Sequence, residues 1–418
     1  MEHLSIEYRS FKQFDKNKFI ENLTNTPFYL IESIGDVDEA ANYWYNLFLS
    51  TLDKHAPKKI KRVKNTQQPE WWTSDINSAR HQRDYFQRIV EQAKKKYFQN
   101  AISNCKDSKT IWKYVKSLNP KKVHNNITHL EYKNSVIQND VDIANTFNVH
   151  FTNIAESIVD DKLCNNDDGA RFDALNKFVK SKLQTGSEKF IIPEMSILDV
   201  NMYLKKLDKS KATGLDDVGP NILSMCSDVI APALTYIFNL SIKSGKFPSI
   251  FKTTRVCPIF KSGDACNPDN YRPILVLPVL SKIIDRHIAN SLYIFLNSND
   301  LLNTTQSGFR PKHSCTTALT KLVDEWLANI DNGEINGVIF LDLKKAFDLV
   351  NHIILLKKLE NYNVSNCTLD WFKSYLFERS QQVKVNNVMS NTKCIKTGSR
   401  ASKVQVSEMR DTPEEGIT

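Results

Sequence analysis

The clearest hydrophobic pattern of the chain lies in residues 338–352, which read VIFLDLKKAFDLVNH. The four apolar residues 338–341 follow two Asn-Gly turn signals and predict a short strand that is buried on both faces. Asp342 comes directly after this strand. The period then changes to that of an amphipathic helix, with apolar positions at Leu349, Ile353, Leu356 and Leu359. An isolated acid at a strand end is most often a helix cap, so Asp342 has both a structural and a metal-binding interpretation.

Other patterns lie upstream of this segment. Residues 256–274 contain an apolar run that ends at Lys261, a Gly263-Asp264 turn and the run NYRPI, and they favour a hairpin. The block QSGFR occupies positions 306–310 and leads into a helix, and the segment KATGLDDVGPNIL begins at Lys211. Several patterns in a fixed order along the chain are a more specific signal than any one of them alone.

In this order, the segments resemble the motifs of reverse transcriptases from non-LTR retrotransposons of the LINE type (Jockey/RTE-like). The run from Asp342 resembles motif A, residues 306–310 resemble the Q-x-G-F-R block, and residues 375–383 fit a Y-L-x-x-R-x-Q-x-V strand. The resemblance covers roughly residues 200–398. It implies RNA-directed DNA synthesis, in which deoxynucleoside triphosphates extend a DNA primer on an RNA template with Mg²⁺ as the metal.

The resemblance also assigns roles near motif A. Asp342 would hold Mg²⁺ with the backbone carbonyl of Leu343, and hard oxygen ligands of this kind suit that ion. Phe347 occupies the position of a steric gate, whose ring fills the space that a ribose 2′-hydroxyl would need. The alternative for Phe347 is an ordinary core aromatic beside the helix.

Three basic residues are candidates for substrate binding. Lys261 and Arg272 stand on either side of the turn-rich connection, from which both would reach a triphosphate, and Arg310 belongs to the Q-x-G-F-R block. An arginine offers a planar fork of donors for phosphate oxygens, and a lysine offers a point charge. The alternative for each is a solvated surface cation.

The chain departs from the family pattern after Gly398. The expected V-P-Q-G-S block of motif B and the A-D-D tetrad of motif C are missing, and residues 399–418 have the look of a polar tail. A premature stop, a frame change or an exon junction would each explain this departure. One carboxylate and one carbonyl do not hold two metal ions, so we expect the chain to be catalytically incompetent.

The net charge of +9 is distributed unevenly. Residues 1–53 carry four Lys/Arg and nine Asp/Glu, whereas residues 54–122 carry eighteen and five, a net charge of +13. Apolar residues between Ile76 and Ala101 keep helical spacing and predict a long amphipathic helix. Its exposed lysines Lys94, Lys95 and Lys96 are candidates for nucleic-acid contact, and the alternative is a solvated helix face. The segment resembles the connector between endonuclease and reverse transcriptase in LINE-type proteins, and because 53 residues are too few for an endonuclease we expect that domain to be missing.

The composition of the chain limits the classes of protein to which it can belong. The 418 residues are 41% hydrophobic, enough for a large core in two or three domains. There is no apolar run of 18 residues and no signal-peptide pattern, so we expect an intracellular protein, nuclear or cytoplasmic, without a membrane partner. The eight cysteines include no C-x-x-C pair, which argues against a zinc knuckle or a disulfide framework.

We therefore expect an α+β fold in which a helical connector precedes the fingers and part of the palm of a right-hand polymerase. The expected divisions are an acidic segment (1–53), the basic connector (54–125), a helical segment and linker (126–190), the partial reverse transcriptase domain (191–398) and a divergent tail (399–418). The function expected is that of a reverse transcriptase fragment. The alternatives are a non-catalytic nucleic-acid-binding remnant acting through residues 54–122, and an inert product of a decayed element.

Overall fold

The structure is a computed structural model that combines helices and strands in an α+β fold, as expected. It divides into two compact units, Met1–Lys12 with Ala56–Ile127 and Gln13–His55 with Thr128–Thr418. The residues that the structure describes are 4–63, 83–103, 105, 107, 110–112, 114–115, 127–153, 168–183, 188–342, 346–347 and 349–395.

Helices make up much of both units. The helices described are α1 (Lys16–Thr24), α2 (Val37–His55), α3 (Arg83–Ser103), α4 (Asp140–Asn153), α5 (Asp168–Lys182), α6 (Ile197–Lys205), α7 (Pro220–Met225), α8 (Ser227–Ser244), α9 (Val279–Ser298), α10 (Cys315–Asp331), α11 (His352–Asn361) and α12 (Asn366–Leu376). Short 3-10 turns cover Phe28–Ser33, Ser249–Phe251 and Pro268–Asn270. Helix α5 lies in the stretch that was expected to contain a linker.

The described strands form one larger sheet and two small, two-stranded sheets. They are β1 (Leu4–Arg9), β2 (Lys58–Val63), β3 (Leu130–Tyr132), β4 (Ser135–Ile137), β5 (Thr253–Phe260), β6 (Tyr271–Val276), β7 (Arg379–Val385), β8 (Val388–Met389) and β9 (Lys393–Ile395). β1 pairs with β2 and β3 pairs with β4, both antiparallel. The larger sheet contains the strands from β5 to β9.

The first unit contains the β1–β2 pair and helix α3. The amphipathic helix predicted from apolar spacing is confirmed from Arg83 onward, and its earlier part, up to residue 82, lies outside the described residues. Phe98 is buried, whereas Lys94, Lys95 and Lys96 are exposed. The side chains of the three lysines are therefore accessible to solvent.

Strand β5 is the centre of the larger sheet in the second unit. One edge pairs antiparallel with β6, and the other edge pairs parallel with β7. β8 and β9 then pair with β7. Val256 of β5 lies opposite Val383 of β7, and both side chains are fully buried. Arg255 and Val256 are thus paired on both sides, which is the usual requirement for a buried stretch of strand, whereas the residues after Val256 pair with β6 alone.

Helix α4 packs against the β7 side of this sheet. Its Phe147 ring lies 4.9 Å from the ring of Tyr271 in an edge-on arrangement. The buried Asn148 accepts a hydrogen bond from Gln381 Nε2 at 2.9 Å and donates one to Ser390 Oγ at 3.0 Å. Two buried amide side chains therefore satisfy each other across this packing, which limits the cost of placing them in the core.

The residues of the Y-L-x-x-R pattern form the junction between α12 and β7. Tyr375 stacks on Trp371 with ring centroids 5.3 Å apart, and the Arg379 guanidinium lies 4.3 Å from the centroid of the Tyr375 ring. The Arg379 guanidinium also lies 5.3 Å from the ring of Phe247. Burial raises the pKa of the Tyr375 hydroxyl. The strand predicted to begin with this pattern is confirmed, because β7 starts at Arg379.

Residues 13–55 are packed within the second unit through charge and backbone contacts. Lys246 Nζ lies 3.1 Å from Asp36 Oδ2 and 2.9 Å from Asp38 Oδ2. The Tyr236 hydroxyl of α8 donates a hydrogen bond to a backbone carbonyl of the same segment at 2.9 Å. Some of the acids that make the N-terminal segment negative therefore hold it against α8 and the residues that follow.

A buried tyrosine joins α2 to the loop at residues 211–219. The Tyr45 hydroxyl donates a hydrogen bond to Asp216 Oδ2 at 2.8 Å. Tyr45 is 3% exposed, and burial is the main cause that raises its pKa. Burial likewise raises the pKa of the Asp216 carboxyl to about 6, although hydrogen bonds from Tyr45 and the Val218 amide oppose the shift. This carboxyl is the acid of the G-x-D element noted in the sequence.

The predicted buried strand at residues 338–341 is wrong. These residues pair with no strand among those described, and Phe340 is 88% exposed. A strand is stable only where neighbouring strands bind its amide and carbonyl groups. The described strands pair with one another and leave this segment without such a neighbour.

The helix predicted after motif A is confirmed, but it begins at His352. Asn351 caps it, and its side chain accepts hydrogen bonds from the Ile353 and Ile354 amides at 2.9 and 3.2 Å. Leu359 is buried, as the helical spacing predicted, while Ile353 is largely exposed.

The stability of the second unit should depend on pH through Asp216. Because its pKa is about 6 in the fold and 3.8 ordinarily, the folded protein retains a proton that the unfolded chain has released between these values. The free energy of unfolding should therefore fall, by on the order of 1 to 2 kcal/mol for this partly exposed group, as the pH rises from about 4 to 6.

Urea denaturation of the parent chain and of Asp216→Asn measures this effect. The asparagine keeps an oxygen for the Tyr45 hydroxyl but has no proton to release in this range. The difference between the two proteins cancels the contributions of other carboxyls. A difference that stays constant from pH 4 to 6 would contradict the assignment.

Candidate functional site

The β5–β6 hairpin positions two of the candidate phosphate ligands. Ile259 lies opposite Arg272 in the antiparallel register, and the Lys261 amide donates a hydrogen bond to the Asn270 carbonyl at 2.8 Å. Since alternate residues of a strand share a face, Lys261 and Arg272 are diagonal neighbours on one face of the hairpin. Both side chains are exposed. The hairpin predicted from the sequence is confirmed by this pairing.

The tip of the hairpin is held by its own side chains. The Asn270 side-chain amide donates a hydrogen bond to the Asp264 carbonyl, and the Cys266 amide donates one to Asp264 Oδ1, each at 2.9 Å. Gly263 has a φ of +93°, and a Cβ there would lie 2.8 Å from the Asn270 side chain. A glycine is therefore needed at this position, and the tip is a defined turn that fixes the spacing of the two basic residues.

The opposite side of the tip faces the β3–β4 hairpin. The Glu131 amide donates a hydrogen bond to the Cys266 carbonyl at 2.8 Å, and His129 Nε2 lies 3.0 Å from Cys266 Sγ. Burial is the main cause that raises the pKa of the Cys266 thiol. This packing was not predicted from the sequence, because the contacting residues are more than 130 positions apart and no local pattern relates them.

The Q-x-G-F-R block lies against the residues after motif A. The Phe309 ring meets the Phe347 ring edge-on, with centroids 5.6 Å apart. Arg310 donates hydrogen bonds to the Asn303 carbonyl at 3.1 Å and to Asn297 Oδ1 at 3.4 Å. The guanidinium of Arg310 thus ties its loop to the end of α9. The structure brings this block together with Phe347, and separately brings Lys261 together with Arg272.

Motif A presents its acid on an exposed segment. Asp342 follows residues 338–341 and is itself exposed, while Leu343 lies outside the described residues. Within the part of the chain that the structure describes, no group of three or more His, Cys, Asp or Glu side chains is arranged to hold a metal ion. The residues described around Asp342 therefore do not fit a two-metal centre.

The loop at residues 211–219 reaches both the sheet and α9. Arg255 of β5 donates a hydrogen bond to the Thr213 carbonyl. A Cβ at Gly214 would lie 2.9 Å from the backbone of Pro278, which precedes α9. This close approach explains the glycine of the G-x-D element, whose role the sequence left open. The loop connects α2, β5 and the start of α9.

Comparison with known proteins identifies the central and C-terminal part of the chain. Residues 259–404 match the family described as "Reverse transcriptase (RNA-dependent DNA polymerase)". The RNA-directed DNA polymerase from mobile element jockey of Drosophila melanogaster is 32% identical over 205 residues, which are 49% of this chain and 22% of that protein. The probable RNA-directed DNA polymerase from transposon BS of the same fly is 31% identical over 214 residues, 50% and 23% of the two proteins.

A third relative is the probable RNA-directed DNA polymerase from transposon X-element of Drosophila melanogaster, 28% identical over 201 residues. The matched region is therefore that of a reverse transcriptase. It is of the non-LTR retrotransposon type, similar to jockey, which confirms the resemblance found in the motifs. The chain spans less than a quarter of the length of these curated relatives.

None of the helices in the described ranges is both long enough and apolar enough to cross a membrane.

Proposed function

We propose that this chain is a fragment of a reverse transcriptase, the enzyme of RNA-directed DNA synthesis, and that its β5–β6 hairpin binds the triphosphate of an incoming deoxynucleotide. The observation that carries the proposal is the placement of Lys261 and Arg272 on one exposed face of a hairpin with a rigid tip. Charge-assisted hydrogen bonds from such a pair are the usual means of holding phosphate oxygens. The RNA template, the DNA primer and the deoxynucleoside triphosphates belong to the same proposal.

Phe347 is proposed as the residue that excludes a ribose 2′-hydroxyl. Its support is its position five residues after Asp342 and its packing against Phe309, which restricts where the ring can lie. Arg310 contributes by holding the loop of Phe309 through Asn303 and Asn297. We therefore assign Arg310 a positioning role, with direct phosphate contact left to Lys261 and Arg272.

Metal binding is separate from these phosphate contacts. The resemblance implies Mg²⁺ at Asp342 and the Leu343 carbonyl, but the described residues provide no cluster that fits such an ion. We derive no catalytic step through a metal in this chain. The hairpin contacts do not depend on it, because they are direct contacts between side chains and phosphate.

Triphosphate binding tests the role of the hairpin. Arg272→Ala and Lys261→Ala should each weaken the binding of a fluorescent deoxynucleoside triphosphate by about tenfold, since each removes a charge-assisted hydrogen bond. Neither change should affect the weaker binding of the corresponding deoxynucleoside, which has no phosphates. Lys358→Ala, at an exposed lysine of α11, is the matched control. Equal effects of all three substitutions would contradict the assignment.

Primer extension tests whether the chain polymerises by itself. We expect no extension of a DNA primer on an RNA template in Mg²⁺ or in Mn²⁺, because an isolated exposed carboxylate does not hold two cations in place. Asp342→Asn is assayed beside the parent chain. Extension by the parent that disappears in Asp342→Asn would show that other acids complete the site, and the prediction would be wrong.

A second candidate function is nucleic-acid binding through residues 54–122. The observation that favours it is the exposure of the three consecutive lysines of α3, within a segment of net charge +13. A positive surface of this kind binds phosphate backbones by releasing counterions, with little sequence preference. This binding does not require any part of the polymerase site.

The salt dependence of RNA binding measures this contribution. Replacing Lys94, Lys95 and Lys96 together by alanine should make the plot of log affinity against log salt shallower, by about 0.7 to 0.9 for each phosphate that the protein no longer neutralises. The control is the alanine triple at Lys177, Lys180 and Lys182, three exposed lysines of α5. If both triples changed the slope equally, the effect would be one of net charge alone.

A further inference from the structure

The part of the β5–β6 hairpin that carries Lys261 and Arg272 is a two-stranded ribbon. Residues 253–256 of β5 pair with β7, whereas the residues beyond Val256 have β6 as their partner among the described strands. A two-stranded ribbon by itself is marginally stable in water. It therefore needs packing from outside the sheet if it is to hold two basic side chains ready for a ligand.

The two faces of the ribbon have different surroundings. Because successive residues of a strand point to opposite faces, Tyr271 lies on one face and Arg272 on the other. Tyr271 is 8% exposed, and its ring meets the Phe147 ring of α4 edge-on, with centroids 4.9 Å apart. Arg272 and Lys261 are exposed. Helix α4 thus covers the face opposite to the candidate phosphate ligands.

The tip of the ribbon, residues 261–270, is contacted by the β3–β4 hairpin and by α4. The Glu131 amide donates a hydrogen bond to the Cys266 carbonyl at 2.8 Å. His150 Nε2 of α4 lies 3.4 Å from Asp269 Oδ1, and the two side chains are 13% and 64% exposed. A largely buried histidine therefore contacts an exposed carboxylate of the turn.

The His150 ring is held in place by other rings. Its centroid lies 6.2 Å from that of Tyr132 in β3 and 5.6 Å from that of Phe151. A side chain that packing already restricts loses little further freedom when it binds another group. The contact with Asp269 therefore joins a fixed ring to the turn that sets the spacing of the two basic residues.

We propose that His150 is a positioning residue for triphosphate binding, which holds the tip through Asp269 so that Lys261 and Arg272 meet the phosphate oxygens together. This role rests on the proposed function of the hairpin. It gives a purpose to β3, β4 and α4, which lie outside residues 259–404 of the family match. His150 acts from the face opposite to Arg272, and a displacement of the ligands by about 1 Å is enough to weaken such contacts.

Binding of the fluorescent deoxynucleoside triphosphate to the full chain tests the role of His150. His150→Gln should weaken this binding by about threefold, as expected for the loss of a partly exposed pair. It should leave the binding of the corresponding deoxynucleoside unchanged, because only the phosphate contacts depend on the tip. His55→Gln is the matched control, since His55 is a half-buried histidine at the end of α2 that is bonded to Asn22; it should change neither affinity.

A double-mutant cycle with Asp269 shows whether His150 acts through the tip. Asp269→Asn should weaken triphosphate binding in the parent chain and should not weaken it further in the His150→Gln chain. Asp269→Glu keeps the carboxylate and should retain the parent affinity. Removing a negative charge from the hairpin would by itself favour a triphosphate, so a loss of affinity in Asp269→Asn is not a simple charge effect.

Hydrogen exchange of the segment 258–272 separates positioning from folding. Exchange there should be faster in His150→Gln and in Asp269→Asn than in the parent, because each variant loses a local contact of the tip. Asp269→Asn changes a side chain that is 64% exposed, so it repeats the test at a position on which the core does not depend.

The outcomes distinguish this role from the proposed function of the hairpin. Unchanged triphosphate affinity in His150→Gln, with or without faster exchange, would overturn the positioning role while Arg272→Ala still weakened binding. An equal effect of Asp269→Asn in both backgrounds would overturn it as well. If Arg272→Ala also left the affinity unchanged, the proposed function of the hairpin would be wrong, and the positioning role would fall with it.

Discussion

The described part of the reverse transcriptase region depends on the pairing of β5 on both of its edges. β6 pairs with it antiparallel and β7 pairs with it parallel, so Arg255 and Val256 are paired on both sides and Val256 is completely buried. Helix α4 then packs through Asn148, which accepts a hydrogen bond from Gln381 of β7. The hairpin that presents Lys261 and Arg272 continues the β5–β6 pair beyond its contact with β7, so the candidate phosphate ligands stand on a two-stranded extension of the sheet.

The loop at residues 211–219 connects this sheet to the N-terminal segment. It accepts a hydrogen bond from Arg255 of β5, approaches Pro278 through Gly214 and binds Tyr45 of α2 through Asp216. Burial removes the Asp216 carboxyl from water and raises its pKa, although the hydrogen bond from the Tyr45 hydroxyl opposes this shift. Residues 13–55 thereby become part of the same compact unit as the reverse transcriptase region, although their composition set them apart in sequence.

The apolar residues before Asp342 show that such a sequence stays exposed when no described strand pairs with it. Residues 338–341 are as hydrophobic as β5, yet they remain exposed, because no described strand offers them amide and carbonyl groups. Asp342 consequently stands on an open segment and no metal cluster forms among the described residues. Residues 338–341 thus have the composition of a core element and the exposure of a surface element.

The sequence alone indicated the family of the matched region and several local elements. Helix α3 and the β5–β6 hairpin were predicted because helical spacing and turns depend on neighbouring residues, and the strand that starts at Arg379 was expected from the family resemblance. Only the tertiary structure decided that Arg310 ties its loop to α9, that Tyr45 meets Asp216, and that residues 338–341 form no strand. Each of these outcomes depends on which distant groups are available as partners, and a local pattern does not contain that information.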